Sequence, residues 1–241
     1  MTDTFNRQPP GSEAELLHYA AELAGLSIAQ LATRLQIEIP TNPVQAKGWT
    51  GEMVERFLGA SAASLPEPDF QAIGVELKTL PVNARGTPAE STYVCTAPVT
   101  NLTGLTWDTS TVKWKLARVL WVPVEGDKSI AFPERRFGNP MLWSPDSNQE
   151  HLLRTDWEEI IEQICLGQLA GIHAGFGKVL QLRPKAANAA ALTTTYNERG
   201  ESSETLPRGF YLRASFTKEI LDRHFRECEP SLKIVRDADS K

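Results

Sequence analysis

Asp69, Glu76 and Lys78 are the residues whose types and spacing best suit them to chemistry. The stretch Gly74-Val75-Glu76-Leu77-Lys78-Thr79-Leu80 alternates with period two, which predicts a strand. Residues two apart on a strand share a face, so Glu76 and Lys78 project together while Val75 and Leu77 face the other way. Asp69 follows Pro68, and a turn within residues 70–74 would return it beside Glu76. Two carboxylates and the Leu77 backbone carbonyl would then form an oxygen set suited to a hard cation such as Mg²⁺. A cation there lowers the pKa of a bound water and offsets charge on a phosphodiester, with Lys78 positioning the water. Taken alone, the three residues also fit a solvated Glu–Lys pair on a strand face.

The elements around them are readable in outline. Ser12-Glu13-Ala14-Glu15 is a capping box followed by Leu16, Leu17, Ala20 and Leu23 at helical spacing, and Gly25 ends that helix. Ser27 to Gln30 repeats the pattern ahead of Leu31 and Leu35. Lys47 to Gly59 predicts a third helix with Met53, Val54, Phe57 and Leu58 as its apolar stripe, which leaves Glu55 off the stripe. Further strands are expected at Ser91 to Val99, Val119 to Val124, Gly177 to Arg183 and Gly209 to Arg213, the second of them buried on both faces. Lys113 and Lys115 alternate with Val112, Trp114 and Leu116 on a half-exposed strand or helix. His151 to Leu169 predicts the clearest helix, with Leu153, Trp157, Ile160, Ile161 and Ile164 inward. Its acidic run, Asp156 to Glu162, is expected on the other sides as a solvated face or, less readily, a partner surface. Phe216 to Phe225 predicts a last helix, with 229–241 a polar, frayed tail. The expected architecture is α/β (α+β), a mixed central sheet flanked by helices, in a single domain over 1–228 with room for two lobes around a cleft.

Bulk properties narrow the function. The 241 residues are 41% hydrophobic and 23% charged, as in a globular protein, and no apolar run is long enough to span a membrane. The polar N-terminus lacks a secretory core, and three cysteines without metal-ligand spacing read as reduced thiols, so the cytoplasm is the expected compartment. The net charge of −5 conceals basic segments at 111–136 (net +3) and 176–226 (net +4), which could form an anion-binding face. The four histidines lack zinc spacing, and the glycines of 171–177 follow a helix rather than a strand, unlike a nucleotide-binding loop.

Longer motifs surround the acidic residues: Lys47-Gly48-Trp49, Glu55, Leu58 to Ala62, Pro68-Asp69-Phe70 and Gly74 to Thr79. Beyond them come Leu120 to Gly126, Leu142 to Pro145, Leu182 to Ala189 and Leu206 to Leu212. In this order the chain, over about residues 12 to 226, resembles the MutH family of mismatch-repair endonucleases. The resemblance implies a restriction-endonuclease-like fold and nicking of the unmethylated strand at hemimethylated GATC sites, dependent on Mg²⁺. It implies activation by MutL after MutS recognises a mismatch, in a protein that acts as a monomer. Asp69 and Glu76 would be metal ligands, with the Leu77 carbonyl, and Lys78 the catalytic lysine. Glu55 matches a supporting carboxylate, and Lys47 and Lys115 match lysines placed for phosphate. Arg183, Pro184 and Lys185 match a base-reading loop. Tyr211 matches the tyrosine near the methylated adenine, and Tyr93 an aromatic that can wedge at DNA. A restriction enzyme cutting both strands, or a DNA-binding adaptor without catalysis, are the competing expectations.

Overall fold

The computed structural model describes residues 7–41, 43–62, 67–185 and 190–238, and side chains of all of these except 43–47 and 227–238. Two short helices open the chain, α1 (Glu13–Ala21) and α2 (Ile28–Leu35). Ser12 caps the first by accepting from the Glu15 amide, and Ser27 and Gln30 cap the second reciprocally. Their buried faces (Leu16, Ala20, Leu31, Leu35) meet the stripe Met53, Val54, Phe57 and Leu58 of α3 (Pro43–Leu58) in one core cluster. α3 begins four residues before Lys47, since Pro43 fits a first helical turn, where no backbone donor is needed.

The mixed sheet is β1 (Glu76–Val82) parallel to β3 (Val119–Glu125), with β4 (Met141–Trp143) antiparallel on the far side of β3. β3 is buried on both faces, as its unbroken apolar run predicts. Leu120, Val122 and Val124 face the helical cluster, whereas Val119 and Trp121 face a second core. β1 obeys the same alternation. Leu77 packs with α1–α3, while Leu80, in phase with Glu76 and Lys78, packs into the second core.

That second core is closed by a separate sheet, in which β8 (Arg208–Leu212) lies between β2 (Thr92–Ala97) and β5 (Leu180–Pro184), antiparallel to both. Leu180, Leu182, Phe210 and Leu212 point inward against α5 (Ser147–Cys165) and the start of α6 (Ala214–Ala238). Asp146 caps α5 in a box with Gln149, which starts this helix four residues ahead of His151. α6 runs beyond the expected end at Phe225, so the backbone of the expected frayed tail is helical through Ala238. The alternating lysines form a helix, α4 (Thr111–Leu116), with Ser110 as its cap. A hairpin of β6 (Thr193–Tyr196) and β7 (Ser202–Thr205) completes the described elements. Among the described residues no helix is long and apolar enough to cross a membrane.

One expectation is corrected inside α5. Asp156 does not join the solvated acidic face; it is 2% exposed. Its carboxylate accepts from the amides of Lys178 (2.8 Å), Val179 (2.6 Å) and Leu180 (2.8 Å), at the root of β5. Arg213 holds the preceding loop from the other side, donating to the carbonyls of Ala174, Phe176 and Gly177. Gly177 has φ +79, and a Cβ there would lie 2.0 Å from the Leu180 carbonyl oxygen, so only glycine fits.

Candidate nuclease site

The catalytic candidates meet on one face of β1. Phe70 pairs with Val75 across a tight turn containing a single 3₁₀ turn (Gln71–Ile73), and Gly74 at φ +65 reverses the chain. This turn carries Asp69 back to β1, where its Oδ2 accepts from the Leu77 amide at 2.7 Å. Burial raises the Asp69 pKa, the Glu76 charge raises it further, and the Leu77 hydrogen bond opposes both.

Glu76 is 2% exposed and held between two cations. Lys78 pairs with it along the strand. Lys115 donates from α4 to both carboxylate oxygens, at 2.9 and 3.1 Å, and to the Glu67 carbonyl at 3.2 Å. Glu55 enters from α3. Its carboxyl and the Thr79 hydroxyl flank one point, each 3.9 Å from where a Cβ on Gly51 would lie. Burial, followed by the Asp69 charge, pushes the Glu55 pKa up to about 7. Three carboxyls therefore crowd two lysines, and Glu55 and Asp69 hold their charge with difficulty.

This electrostatic shortfall is the test of fit for a divalent cation. The donors are hard oxygens, the type a Mg²⁺-like ion selects. Among the described residues no three His, Cys, Asp or Glu side chains converge as a ready-made cage. Asp69 and Glu76 could hold such an ion only with backbone oxygen, as from Leu77, and with water.

The DNA-contact candidates gather on the outer face of the second sheet. Tyr93 and Tyr211 pair between β2 and β8, and their rings meet edge to face at 5.3 Å. The Lys185 ammonium lies 3.3 Å from the Tyr93 ring centre, and the Arg183 guanidinium 5.6 Å from that of Tyr211. Pro184 ends β5 and is exposed with both cations. Gly209 lies beneath the tyrosines, since a Cβ there would come within 2.9 Å of Tyr93 and 3.2 Å of Tyr211. Tyr211 is half-buried rather than part of the core. The Lys47 side chain and the motif end at 186–189 lie outside the described residues.

Cys95 links the two groups. It is buried on the inner face of β2, and its thiol feels the charges of Lys78, Lys115, Glu76 and Lys185. Burial pushes its pKa up to about 12, which keeps it a thiol and makes it no nucleophile. Sequence reasoning missed Cys95, Asp156 and Gly209 as neighbours of the site. Gly209 carried a local signal, a glycine inside a strand, and Asp156 a weaker one in its helical spacing to Leu153 and Ile160.

A family model described as "MutH: DNA mismatch repair enzyme MutH" matches residues 58–156. DNA mismatch repair protein MutH of Salmonella typhi is 55% identical to this chain over 217 residues, covering 90% of this chain and 94% of that protein. The protein of the same name from Salmonella typhimurium shows the same identity and coverage. The chain belongs to the MutH family. The MutH fold is restriction-endonuclease-like, in agreement with the mixed α/β architecture described above. The family function is the endonuclease role in methyl-directed mismatch repair, and the chain is accordingly a DNA endonuclease.

Proposed function

We propose that the chain nicks the unmethylated strand of duplex DNA at hemimethylated GATC sites, by Mg²⁺-assisted hydrolysis of a phosphodiester. The observation that carries this reading is Glu76 set between Lys78 and Lys115 beside an amide-tethered Asp69, in a member of an endonuclease family. Asp69, Glu76 and the Leu77 carbonyl would hold the cation. A divalent ion there supplies charge neutralisation at the phosphodiester and lowers the pKa of water. Lys78 positions the attacking water and favours its deprotonated form. Lys115 orients Glu76 by donating to both its oxygens, and Glu55, poised to carry or release a proton near neutrality, supports the centre from α3. Lys47 contacts phosphate.

On the outer face of the second sheet, Arg183 and Lys185 read base edges, an assignment supported by the suitability of such cations for guanine O6 and N7. Tyr211 lies against the adenine whose N6 methyl is sensed, and Tyr93 wedges beside it. The whole of 1–228 works as one nuclease domain with two lobes around the DNA, followed by a polar tail at 229–241. The protein acts as a cytoplasmic monomer, and MutL activates it after MutS has found a mismatch.

The test is cleavage of a supercoiled plasmid carrying one hemimethylated GATC site, with Mg²⁺, with and without MutL. A nicked circle, cut on the unmethylated strand and stimulated by MutL, is the expected result. Linear product from the outset would favour an enzyme that cuts both strands. DNA binding without cleavage under any condition would favour a non-catalytic adaptor.

A further inference from the structure

Arg208 begins β8 beside the reading face but does not belong to it. In register it lies between Ala97 of β2 and Pro184 of β5, and the next residue on, Lys185, donates its amide to the Pro207 carbonyl at 2.7 Å. Strand alternation puts Arg208 on the side of Phe210, opposite to Gly209 and Tyr211. That is also the side of the sheet where Cys95 feels Glu76, Lys78 and Lys115. Arg208 therefore stands at the rim of this sheet next to Lys185, on the side away from the tyrosines.

Its surroundings do not satisfy it. The guanidinium is half-buried, and its one hydrogen bond is a long contact from Nη2 to the Thr205 hydroxyl at 3.5 Å. Nε is shut off from solvent and has no partner among the described residues, and no carboxylate there pairs with Arg208. Three other half-buried arginines are provided for. Arg118 holds Glu13, Arg213 holds three carbonyls, and Arg135 has the Ile130 carbonyl and the Phe132 ring. A cation taken partly out of water with no counter-charge is costly to keep, and desolvation already pulls the Arg208 pKa below the usual arginine range. An anion against the outer N–H groups of the guanidinium would supply the missing counter-charge.

We propose that Arg208 contacts a backbone phosphate of the bound DNA duplex, anchoring the strand beside the face that reads bases. The proposal rests on the reading that the outer face of this sheet contacts DNA. A phosphate is favoured over a base edge because Arg208 lies on the opposite side of the sheet from Arg183, Tyr211 and Tyr93. Phosphate contacts position a protein without carrying sequence information, so the two kinds of contact give different signatures.

The test is the affinity of wild type, Arg208→Gln and Arg208→Lys for a GATC duplex and a scrambled duplex over a range of KCl concentrations. Arg208→Gln should weaken both duplexes alike, by about tenfold, and lower the slope of log Kd against log salt by about one. Arg208→Lys should keep the slope. A loss confined to the GATC duplex would make Arg208 a base reader and overturn the proposal, as would an unchanged slope. An unchanged slope with a wild-type melting temperature raised by millimolar inorganic phosphate, and not raised in Arg208→Gln, would assign the position to a free anion. If Arg208→Gln does not fold, Arg208→Lys decides, since a lowered slope in a folded Lys variant contradicts a simple charge contact. Wild type showing no preference for GATC would count against the base-reading assignment, and the slope comparison would still judge Arg208.

Discussion

The Lys115 ammonium lies 2.9 Å from one oxygen of Glu76 and 3.1 Å from the other, across a separation of 39 residues. Both side chains are largely withdrawn from water, at 13% and 2% exposure. Removing one partner from such a pair leaves a buried charge uncompensated, at a cost of about 3 kcal/mol. Lys115→Met should therefore lower the urea-unfolding stability of the metal-free protein, and added Mg²⁺ should return part of the loss. A variant as stable as wild type without metal would show that Lys78 alone satisfies Glu76.

Asp69 is tethered to the strand by its hydrogen bond from Leu77 rather than by an ion pair. Asp69→Asn keeps an acceptor for that amide while removing charge. Its cleavage rate should fall by about three orders of magnitude, the equivalent of roughly 4 kcal/mol of lost transition-state stabilisation, with DNA affinity retained. Cleavage at the wild-type rate would remove Asp69 from the cation-binding group.

Glu55 gives a pH-dependent signature. Its pKa is raised in the folded protein to about 7 from an ordinary 4.5, so the folded state holds the proton more tightly than the unfolded state. Its contribution to stability is present below about 4.5 and is lost as pH rises towards 7. Without metal, Glu55→Gln should thus gain on wild type steadily across that window and keep a constant advantage above it. Unfolding curves at pH 4.5, 6 and 8 would measure this, and a pH-independent difference would rule out a buried, titrating Glu55.

Gly209 separates recognition from folding. Alanine there would press on the ring edges of Tyr93 and Tyr211, which can yield at modest cost because both are side-chain atoms. Gly209→Ala should keep its melting temperature within a few degrees and yet lose discrimination between unmethylated and fully methylated GATC duplexes. Tyr211→Ala should lose the same discrimination. Preserved discrimination in both variants would place methyl sensing elsewhere.

The legible part of the site was the part fixed by local rules. Period-two alternation put Glu76 and Lys78 on one side of a strand, and Pro68 with Gly74 marked the turn that returns Asp69. Lys115 was ambiguous, because six residues of alternating charge fit a strand or a short helix until the Ser110 cap is seen to decide it. The hairpin of β6 and β7 gave no signal, since of β6 only Thr195 is buried and neither strand has an apolar face. Asp156 was only partly legible. Its place three residues after Leu153 and four before Ile160 puts it on the flank of the buried stripe, but the amides that draw it inward lie 22 to 24 residues away.

The Asp156 carboxylate also limits where the protein can yield to its substrate. The amides of Lys178, Val179 and Leu180 all end on it, within a loop that Arg213 grips by three carbonyls. These amides should be among the last to exchange with solvent. The base of β5 then behaves as part of helix α5, a fixed hinge plate rather than a spring. Under the proposed reading, adjustment to the shape of a DNA groove falls to the side chains at the other end of the strand, from Arg183 onward, which are exposed.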